Sequence, residues 1–321
     1  MRQTDEVFAT VLLLSQLTIN RNELARPLTT AEWYRFRETV RASRVGSLGN
    51  LLGMDISALQ QELGIPEQDA FRIFSLLNRT VHLSYVLEKF FEKGIDIVTI
   101  GEEEYPKRLV ERLGEKAPPM LYYAGDLKLC QEKGILMAGA GNMKEAGERC
   151  VQTLVDKIIR AGYLLITGGT RGVDWLIEQT ADECGGKVVS FLAEALVGKL
   201  AEPGVQAMVS GGRMLLLSTV HPEAPFTMTH ALNRNKCLYA LAQSAFIVTA
   251  DAQKGSTWEG AMEALRKKWA DKIFVWDNEG FEGNRQLILN GAMPVKDVEA
   301  LSVQQLVTQW QSPSFEQISL F

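Results

Sequence analysis

The second half of the chain alternates short apolar runs with longer segments of mixed polarity. Apolar runs typical of buried strands lie at residues 135–138, 164–166, 188–192, 214–217, 245–248 and 273–276. Segments of helical character lie at residues 144–160, 173–184, 229–241 and 257–269. Continuous apolar strands that alternate with helices indicate an α/β fold, a mostly parallel sheet with helices on both faces. Ligands of such folds bind beyond the carboxyl ends of the strands.

The N-terminal part of the chain has a helical pattern instead. Thr29 followed by Glu32 is typical of a helix start. Further amphipathic helices are predicted at residues 56–63, 68–77 and 298–310, and a strand at residues 95–100. We therefore predict three regions: a small helical domain at 1–93, a Rossmann-like domain at 94–285, and a C-terminal helix and tail at 286–321.

Composition excludes several classes of protein. The chain has 321 residues with 34 basic and 39 acidic side chains, which gives a net charge of −5. This charge argues against a surface that binds polyanions over its whole extent, but it allows a local basic groove. The apolar run at residues 11–14 is too short for a signal peptide or a membrane span, so we expect a cytoplasmic protein. Neither the four cysteines nor the three histidines have a metal-ligand spacing. We predict no metal, no cofactor and no catalytic residue.

A glycine-rich turn follows the strand at 164–166. Gly168 and Gly169 end the apolar run, and Arg171 and Gly172 precede the next helical segment. A turn of this kind leaves backbone N–H groups free at a helix N-terminus, which favours an anion, and the guanidinium of Arg171 suits phosphate. The alternative is that the glycines serve only close packing of helix and sheet while Arg171 is solvated.

Two further stretches have similar chemistry. Gly139 and Gly141 follow the strand at 135–138 and form either a tight turn or a phosphate contact. Arg234, Asn235 and Lys236 place cations at the front of a predicted helix, where they oppose the helix dipole. That unfavourable placement suggests an anionic partner, although a helix that begins near residue 229 weakens the argument and leaves a solvated polar face as the alternative.

The last stretch of this kind follows the strand at 245–248. Lys254 and Gly255 precede Ser256 and Thr257, whose hydroxyls either cap a helix or donate to phosphate oxygens. Trp258 comes next and either stacks on a base or packs in the core. Several anion-receptive loops in one domain indicate a phosphate-rich ligand.

In this order, these motifs resemble the DNA-processing protein A family (DprA, also called Smf). Its glycine-rich signature is similar to residues 167–174, its R-N-R motif to residues 234–236, and its G-S motif to residues 255–256. Residues 105–109, 118–122 and 125–127 are similar to the segment that leads into the family's core domain. The resemblance implies a helical N-terminal domain, a DprA-type Rossmann-like domain that binds single-stranded DNA, loading of a RecA-type recombinase, and a homodimer.

The chain departs from that family pattern at several positions. An arginine of the family's G-S-R turn is absent, and we expect Lys144 to supply its charge. Glu178 stands near the position of a histidine that usually follows the glycine-rich signature, and Lys236 replaces an arginine. No winged-helix domain is visible in the sequence. We therefore expect a divergent member in which strand binding is better supported than recombinase loading.

The leading hypothesis is a non-catalytic single-stranded DNA-binding protein of DNA processing or recombination. The residues expected at the phosphates are Gly139, Gly141, Lys144, Gly168, Gly169, Arg171, Gly172, Arg234, Asn235, Lys236, Lys254, Gly255, Ser256 and Thr257. One alternative is a LOG-like nucleotide phosphoribohydrolase, because residues 255–259 resemble the end of its motif and supply Glu259. Another is a nucleotide-sensing module. Whether the pathway is DNA uptake, recombination or defence stays open.

Overall fold

A computed structural model describes residues 4–17, 25–140, 143, 145–278 and 280–307. Within these ranges the helices α1 to α14 span Asp5–Leu14, Thr30–Ala42, Ile56–Leu63, Glu67–Leu77, Thr80–Glu92, Lys107–Leu113, Glu145–Arg160, Val173–Glu183, Leu196–Leu200, Pro203–Ser210, Met228–Leu241, Gly255–Lys267, Glu282–Leu289 and Val303–Val307. The strands β1 to β9 span Asp96–Thr99, Met120–Ala124, Gly134–Gly139, Leu164–Thr167, Val188–Leu192, Met214–Ser218, Ser244–Thr249, Ile273–Trp276 and Met293–Val295.

All the strands described above join one sheet in the order β1-β2-β6-β5-β4-β3-β7-β8-β9. The pairings from β6 across to β9 are parallel, whereas β2 is antiparallel to both β6 and β1. The chain moves outward from β3 to β6 and then returns to place β7 on the other side of β3. Strand order therefore reverses between β3 and β7, where doubly wound sheets open a crevice for ligands.

Apolar side chains of the sheet alternate between two cores. Ile135 and Met137 face a core that includes α1 to α5, α7 and α8, while Leu136 faces a second core that includes α6, α11, α12 and α13. The predicted α/β class with helices on both faces is confirmed. The helices before residue 93 belong to the first of these cores. The predicted division into three regions stays a prediction, although β9 extends the sheet beyond residue 285.

The pattern predicted the central strands well and the flanking elements less well. The strand β2 had no predicted counterpart. It begins directly after Pro118 and Pro119, which is possible because a proline that precedes a strand removes no hydrogen bond from the sheet. The helices α9, α10 and α13 and the strand β9 had no predicted counterpart. The helix predicted at 298–310 begins only at Val303, and its part after residue 307 lies outside the described residues.

Among the helices that the structure describes, none combines the length and the apolar content that crossing a membrane requires. In the same residues, no group of histidine, cysteine and acidic side chains has an arrangement that could hold a metal ion.

Candidate functional site

A cavity of about 210 Å³ lies at the carboxyl ends of β3, β4 and β7, where the strand order reverses. We call it the switch-point pocket. Its lining includes Gly139 and Ala140 after β3, Gly168, Thr170, Arg171 and Asp174 after β4, Met228, Arg234 and Asn235 of α11, and Asp251, Lys254, Gly255, Ser256 and Thr257 after β7. The structure thus brings together loops that are more than a hundred residues apart in the sequence.

The end of β3 lines the pocket and is hydrogen-bonded to the end of β7. Ala140 N–H donates to the Thr249 carbonyl at 2.9 Å, and Thr249 Oγ1 donates to the Ala140 carbonyl at 3.1 Å. A Cβ atom at Gly139 would lie 2.8 Å from Cγ2 of Val173, so only glycine lets α8 approach β3 this closely. Gly141 and Lys144 lie outside the described residues, and their predicted phosphate contacts stay predictions.

The loop after β4 is shaped by Asp174, which is buried in the first turn of α8. Its Oδ2 accepts hydrogen bonds from Thr170 N at 3.1 Å and Thr170 Oγ1 at 2.6 Å. A Cβ at Gly168 would lie 2.5 Å from Nη1 of Arg234 and 2.7 Å from Oδ2 of Asp174. Gly169 has a φ of +70°, and its Cβ would lie 2.4 Å from Cδ2 of Leu192. Close packing therefore requires both glycines.

Gly172 directly precedes α8, as expected. The described lining of the pocket includes Gly168 but neither Gly169 nor Gly172. The assignment of Gly169 and Gly172 to phosphate contact stays a prediction, and their observed part is to shape the turn that presents Arg171.

Arg234 holds loops together from inside the protein. Its side chain is 4% exposed, and Nη1 donates to the Gly168 carbonyl at 2.7 Å and also to the Phe191 carbonyl. Burial lowers the pKa of this guanidinium, and the nearby Asp174 carboxylate opposes that effect. One side chain thus links the ends of β4 and β5. In the structure, Nη1 of Arg234 donates to two carbonyl groups of the protein. A direct contact of Arg234 with phosphate stays a prediction.

The expectation that Arg234 lies at the front of its helix, where it would oppose the helix dipole, was wrong. The helix α11 begins at Met228, and Thr227 caps it by accepting a hydrogen bond from His230 N–H at 3.0 Å. Arg234 therefore lies in the second turn, where the dipole of the helix end has little effect. The earlier helix start, which the sequence left open, removes that argument for an anionic partner.

Asn235 joins α11 to α12. Its Nδ2 donates to the Ser256 carbonyl at 2.7 Å, and a Cβ at Gly260 would lie only 2.5 Å from the same nitrogen. Lys236 is half-buried on α11 and does not belong to the described lining of the pocket. The contacts of Arg234 and Asn235 are thus with the protein's own backbone, while Lys236 has no observed part in the pocket.

The pocket-lining groups that have no partner among the described side chains include two cations, backbone N–H groups and one carboxylate, that of the exposed Asp251. Arg171 and Lys254 are exposed, and neither forms an ion pair with any of the described residues. The helix α12 begins at Gly255 with no side chain capping its N-terminus, so the N–H groups of Gly255, Ser256 and Thr257 stay open. An uncapped helix N-terminus beside two cations is suited to a phosphate group.

A buried ion pair lies behind the glycine turn. Lys199 Nζ lies 2.7 Å from Glu178 Oε2, and Ser190 Oγ donates to Glu178 Oε1 at 2.6 Å. Burial raises the pKa of Glu178, while Glu178 and Glu202 raise that of Lys199 more than burial lowers it. The sequence pointed to Glu178 alone. Nothing in the pattern marked Lys199, because a lysine in a short helix is usually exposed.

A second, larger cavity of about 430 Å³ lies between α5 and β1, and we call it the α5–β1 cavity. Its lining combines an apolar floor, which includes Phe8, Leu87 and Ile97, with acidic side chains. These carboxylates belong to Glu88, Asp96, Glu102 and Glu104, and no lysine or arginine is found among the described lining residues. Such a cavity repels a phosphate-bearing ligand.

The fold defines a class, the doubly wound Rossmann-like domains, in which ligands bind at the point where the strand order reverses. The family model described as DNA recombination-mediator protein A matches residues 96–305, well over half of the chain. The chain belongs to this family, as the motif resemblance predicted.

Its relatives include two proteins named DNA processing protein DprA. The protein from Bacillus subtilis (strain 168) is 25% identical over 221 residues, which cover 68% of this chain and 73% of the relative. The protein from Streptococcus pneumoniae (strain ATCC BAA-255 / R6) is 26% identical over 215 residues, covering 66% and 73% respectively.

Two solved structures share the fold. The X-ray structure of DNA processing protein A from Streptococcus pneumoniae superposes with a TM-score of 0.68 at 18% identity, covering 93% of this chain and 97% of that chain. A structure of DNA processing protein A from Helicobacter pylori, described as giving insight into its unique single-stranded DNA binding mode, has a TM-score of 0.53 at 18% identity, covering 64% of this chain and 94% of that chain.

Proposed function

We propose that this protein is a non-catalytic single-stranded DNA-binding protein of DNA processing and that the switch-point pocket holds phosphates of the strand. The observation that carries the proposal is the convergence of Arg171, Lys254 and the open N-terminus of α12 on one pocket. The single-stranded DNA binding of the Helicobacter pylori relative supports it.

Phosphate contacts position a strand without reading its sequence. The open N–H groups at the start of α12 would donate to a phosphate oxygen, and Arg171 and Lys254 would neutralise its charge. We therefore expect tight binding at low salt, weakening as salt is added, and little preference for base sequence.

The two alternative functions receive less support from the geometry. Glu259, on which hydrolysis of a nucleotide would depend, is exposed on α12 and does not belong to the described lining of the pocket. A pocket of about 210 Å³ is also smaller than those that enclose a drug-sized ligand, which start near 300 Å³. It suits one phosphate group of a longer chain better than a fully enclosed nucleotide.

Loading of a RecA-type recombinase and assembly as a homodimer are further parts of this proposal, and the family membership supports them. A recombinase-loading role predicts that the protein speeds recombinase filament formation on coated single-stranded DNA. A homodimer predicts twice the mass of the chain in solution by light scattering.

The test of strand binding is fluorescence anisotropy with labelled oligo-dT at several salt concentrations. We expect Arg171→Ala and Lys254→Ala each to weaken binding about tenfold at low salt. Lys267→Ala is the matched control, because Lys267 is exposed in the last turn of the same helix as the open N-terminus, α12. Equal effects of the three substitutions, or wild-type binding that is insensitive to salt, would contradict the proposal.

A further inference from the structure

Four large apolar side chains that the phosphate contacts do not use are exposed on or beside the segments that line the switch-point pocket. Trp175 is 49% exposed, Phe226 45%, Met228 50% and Leu232 39%. Single exposed apolar residues are common on proteins, but a group of large ones beside a polar pocket is typical of an interaction site. We call these four residues the apolar rim.

The apolar rim belongs to the two helices that start at the pocket. Met228 itself lines the pocket, and Leu232 lies one turn further along α11 on the same face. Phe226 directly precedes Thr227, the cap of α11. Trp175 lies in the first turn of α8, next to the pocket-lining Asp174. The four side chains are thus on or beside the helix starts that bound the opening.

A ligand that satisfies both surfaces needs anionic groups for the pocket and flat apolar groups for the rim. A single strand of DNA has both, because its bases are unpaired and can stack on aromatic side chains. A chain of phosphates without bases would leave the rim in water. The chemistry of the rim therefore indicates what the remainder of the ligand is.

We propose that the apolar rim is the base-stacking surface of this protein, with Trp175 and Phe226 as its aromatic contacts. This inference rests on the proposed function and adds to it the place where the bases lie. Trp258, the tryptophan that the sequence offered as a stacking residue, instead packs against the core beneath α12. Stacking of this kind tolerates every base, so the rim adds affinity and little sequence specificity.

The experiment compares oligo-dT with an abasic oligonucleotide of the same length. We expect Trp175→Ala and Phe226→Ala each to weaken oligo-dT binding about tenfold without changing its salt dependence. Binding of the abasic strand should be unchanged in both variants, because no base is present to stack. Arg171→Ala should weaken binding of both strands. Phe91→Ala is the control, since Phe91 is a 65% exposed aromatic residue on α5.

Intrinsic fluorescence gives a second measurement that does not depend on affinity. The chain has six tryptophans, and stacking of a base on Trp175 should quench part of their emission. Trp175→Phe should keep most of the affinity while losing that quenching.

An equal loss of binding to abasic and dT strands in Trp175→Ala would overturn the stacking proposal, as would unchanged binding of dT. Quenching that persists in Trp175→Phe would also overturn it. Wild-type protein that binds neither strand, at any salt concentration, would overturn the proposed function itself and the inference with it.

Discussion

The switch-point pocket and the α5–β1 cavity differ in almost every property that decides a ligand. The first is the smaller, about 210 Å³ against about 430 Å³, and is built from loops after parallel strands at the centre of the sheet. It presents exposed cations and the open N-terminus of α12. The second lies at the sheet edge beside β1, with an apolar floor and acidic side chains.

This difference shows that volume alone would select the wrong place for an anionic ligand. The acidic side chains of the α5–β1 cavity raise the cost of bringing a phosphate near it. Under the proposed function the switch-point pocket needs little volume, because an extended strand would pass over the opening and leave one phosphate at a time in it. What distinguishes the proposed site is exposed positive charge beside free N–H groups.

Reversing charge in each cavity is the strongest test of this comparison. We expect the double variant Arg171→Glu with Lys254→Glu to lose at least a hundredfold in affinity for oligo-dT at low salt, since two attractions become repulsions. The double variant Glu88→Lys with Glu104→Lys in the α5–β1 cavity should change affinity less than threefold. Anisotropy titrations measure both. A large gain or loss from the second pair would mean that the strand also contacts the α5–β1 cavity.

Gly168→Ala tests whether the switch-point pocket depends on its close packing. The added Cβ would lie 2.5 Å from Nη1 of Arg234, so the guanidinium must move and its carbonyl contacts weaken. We expect a loss of about 1–3 kcal/mol in unfolding free energy and weaker binding of oligo-dT. Gly204→Ala in α10 is the control, because no atom lies within 4 Å of the new Cβ. Chemical denaturation measures the stability of both variants.

The salt dependence of binding sharpens the assignment to individual cations. For single-stranded DNA, each neutralised phosphate contributes about −0.7 to the slope of log affinity against log salt. Arg171→Ala should therefore make the slope shallower by about 0.7, and Trp175→Ala should leave it unchanged. A slope that is the same in wild type and Arg171→Ala would remove Arg171 from the contacts.

A smaller effect is expected in the helical region, away from the switch-point pocket. Glu32 accepts hydrogen bonds from Arg72 Nη1 at 3.1 Å and from Thr29 N–H at 2.8 Å. The bond from Arg72 is the main cause that lowers the pKa of Glu32 from 4.5 to about 2. Because the folded protein favours the ionised carboxylate, its stabilising contribution is present above pH 4.5 and is lost as pH falls toward 2.

Glu32→Gln removes that titrating group. We expect the melting temperature of the variant to fall less steeply than that of wild type between pH 4.5 and the acid limit at which folding is lost. Oligo-dT binding at neutral pH should be unchanged. Weaker binding by Glu32→Gln would show that the helical region takes part in the strand site.

The hydrophobic pattern predicted the parallel strands because both of their faces are covered, which leaves continuous apolar runs such as residues 188–192 and 273–276. The pattern did not predict the edge strand β9, because only Val295 of its three residues is buried. The pattern did not predict the strand β2 either, because the prolines before it are a strong turn signal. Local signals thus identify elements that are fully buried, and tertiary context decides the others.

The loops of the site could be predicted because glycine and hydroxyl residues after a strand have a local meaning. Whether a given side chain faces solvent or the protein interior could not be predicted, and Arg234 shows why. Its neighbours in the motif are polar, which reads as an exposed stretch, but α11 packs Arg234 and Asn235 against the carbonyls of Gly168 and Ser256. The apolar rim was missed for the converse reason, since a tryptophan at a helix start usually indicates burial.

The anchoring of Arg234 limits how this protein can vary. A lysine there would offer a single ammonium group and could not reproduce a planar donor that joins the ends of two strands. Arg171 and Lys254, which are exposed at the surface, have no such constraint. Natural or laboratory variants that change ligand preference should therefore have their substitutions in the surface loops and keep the internal arginine.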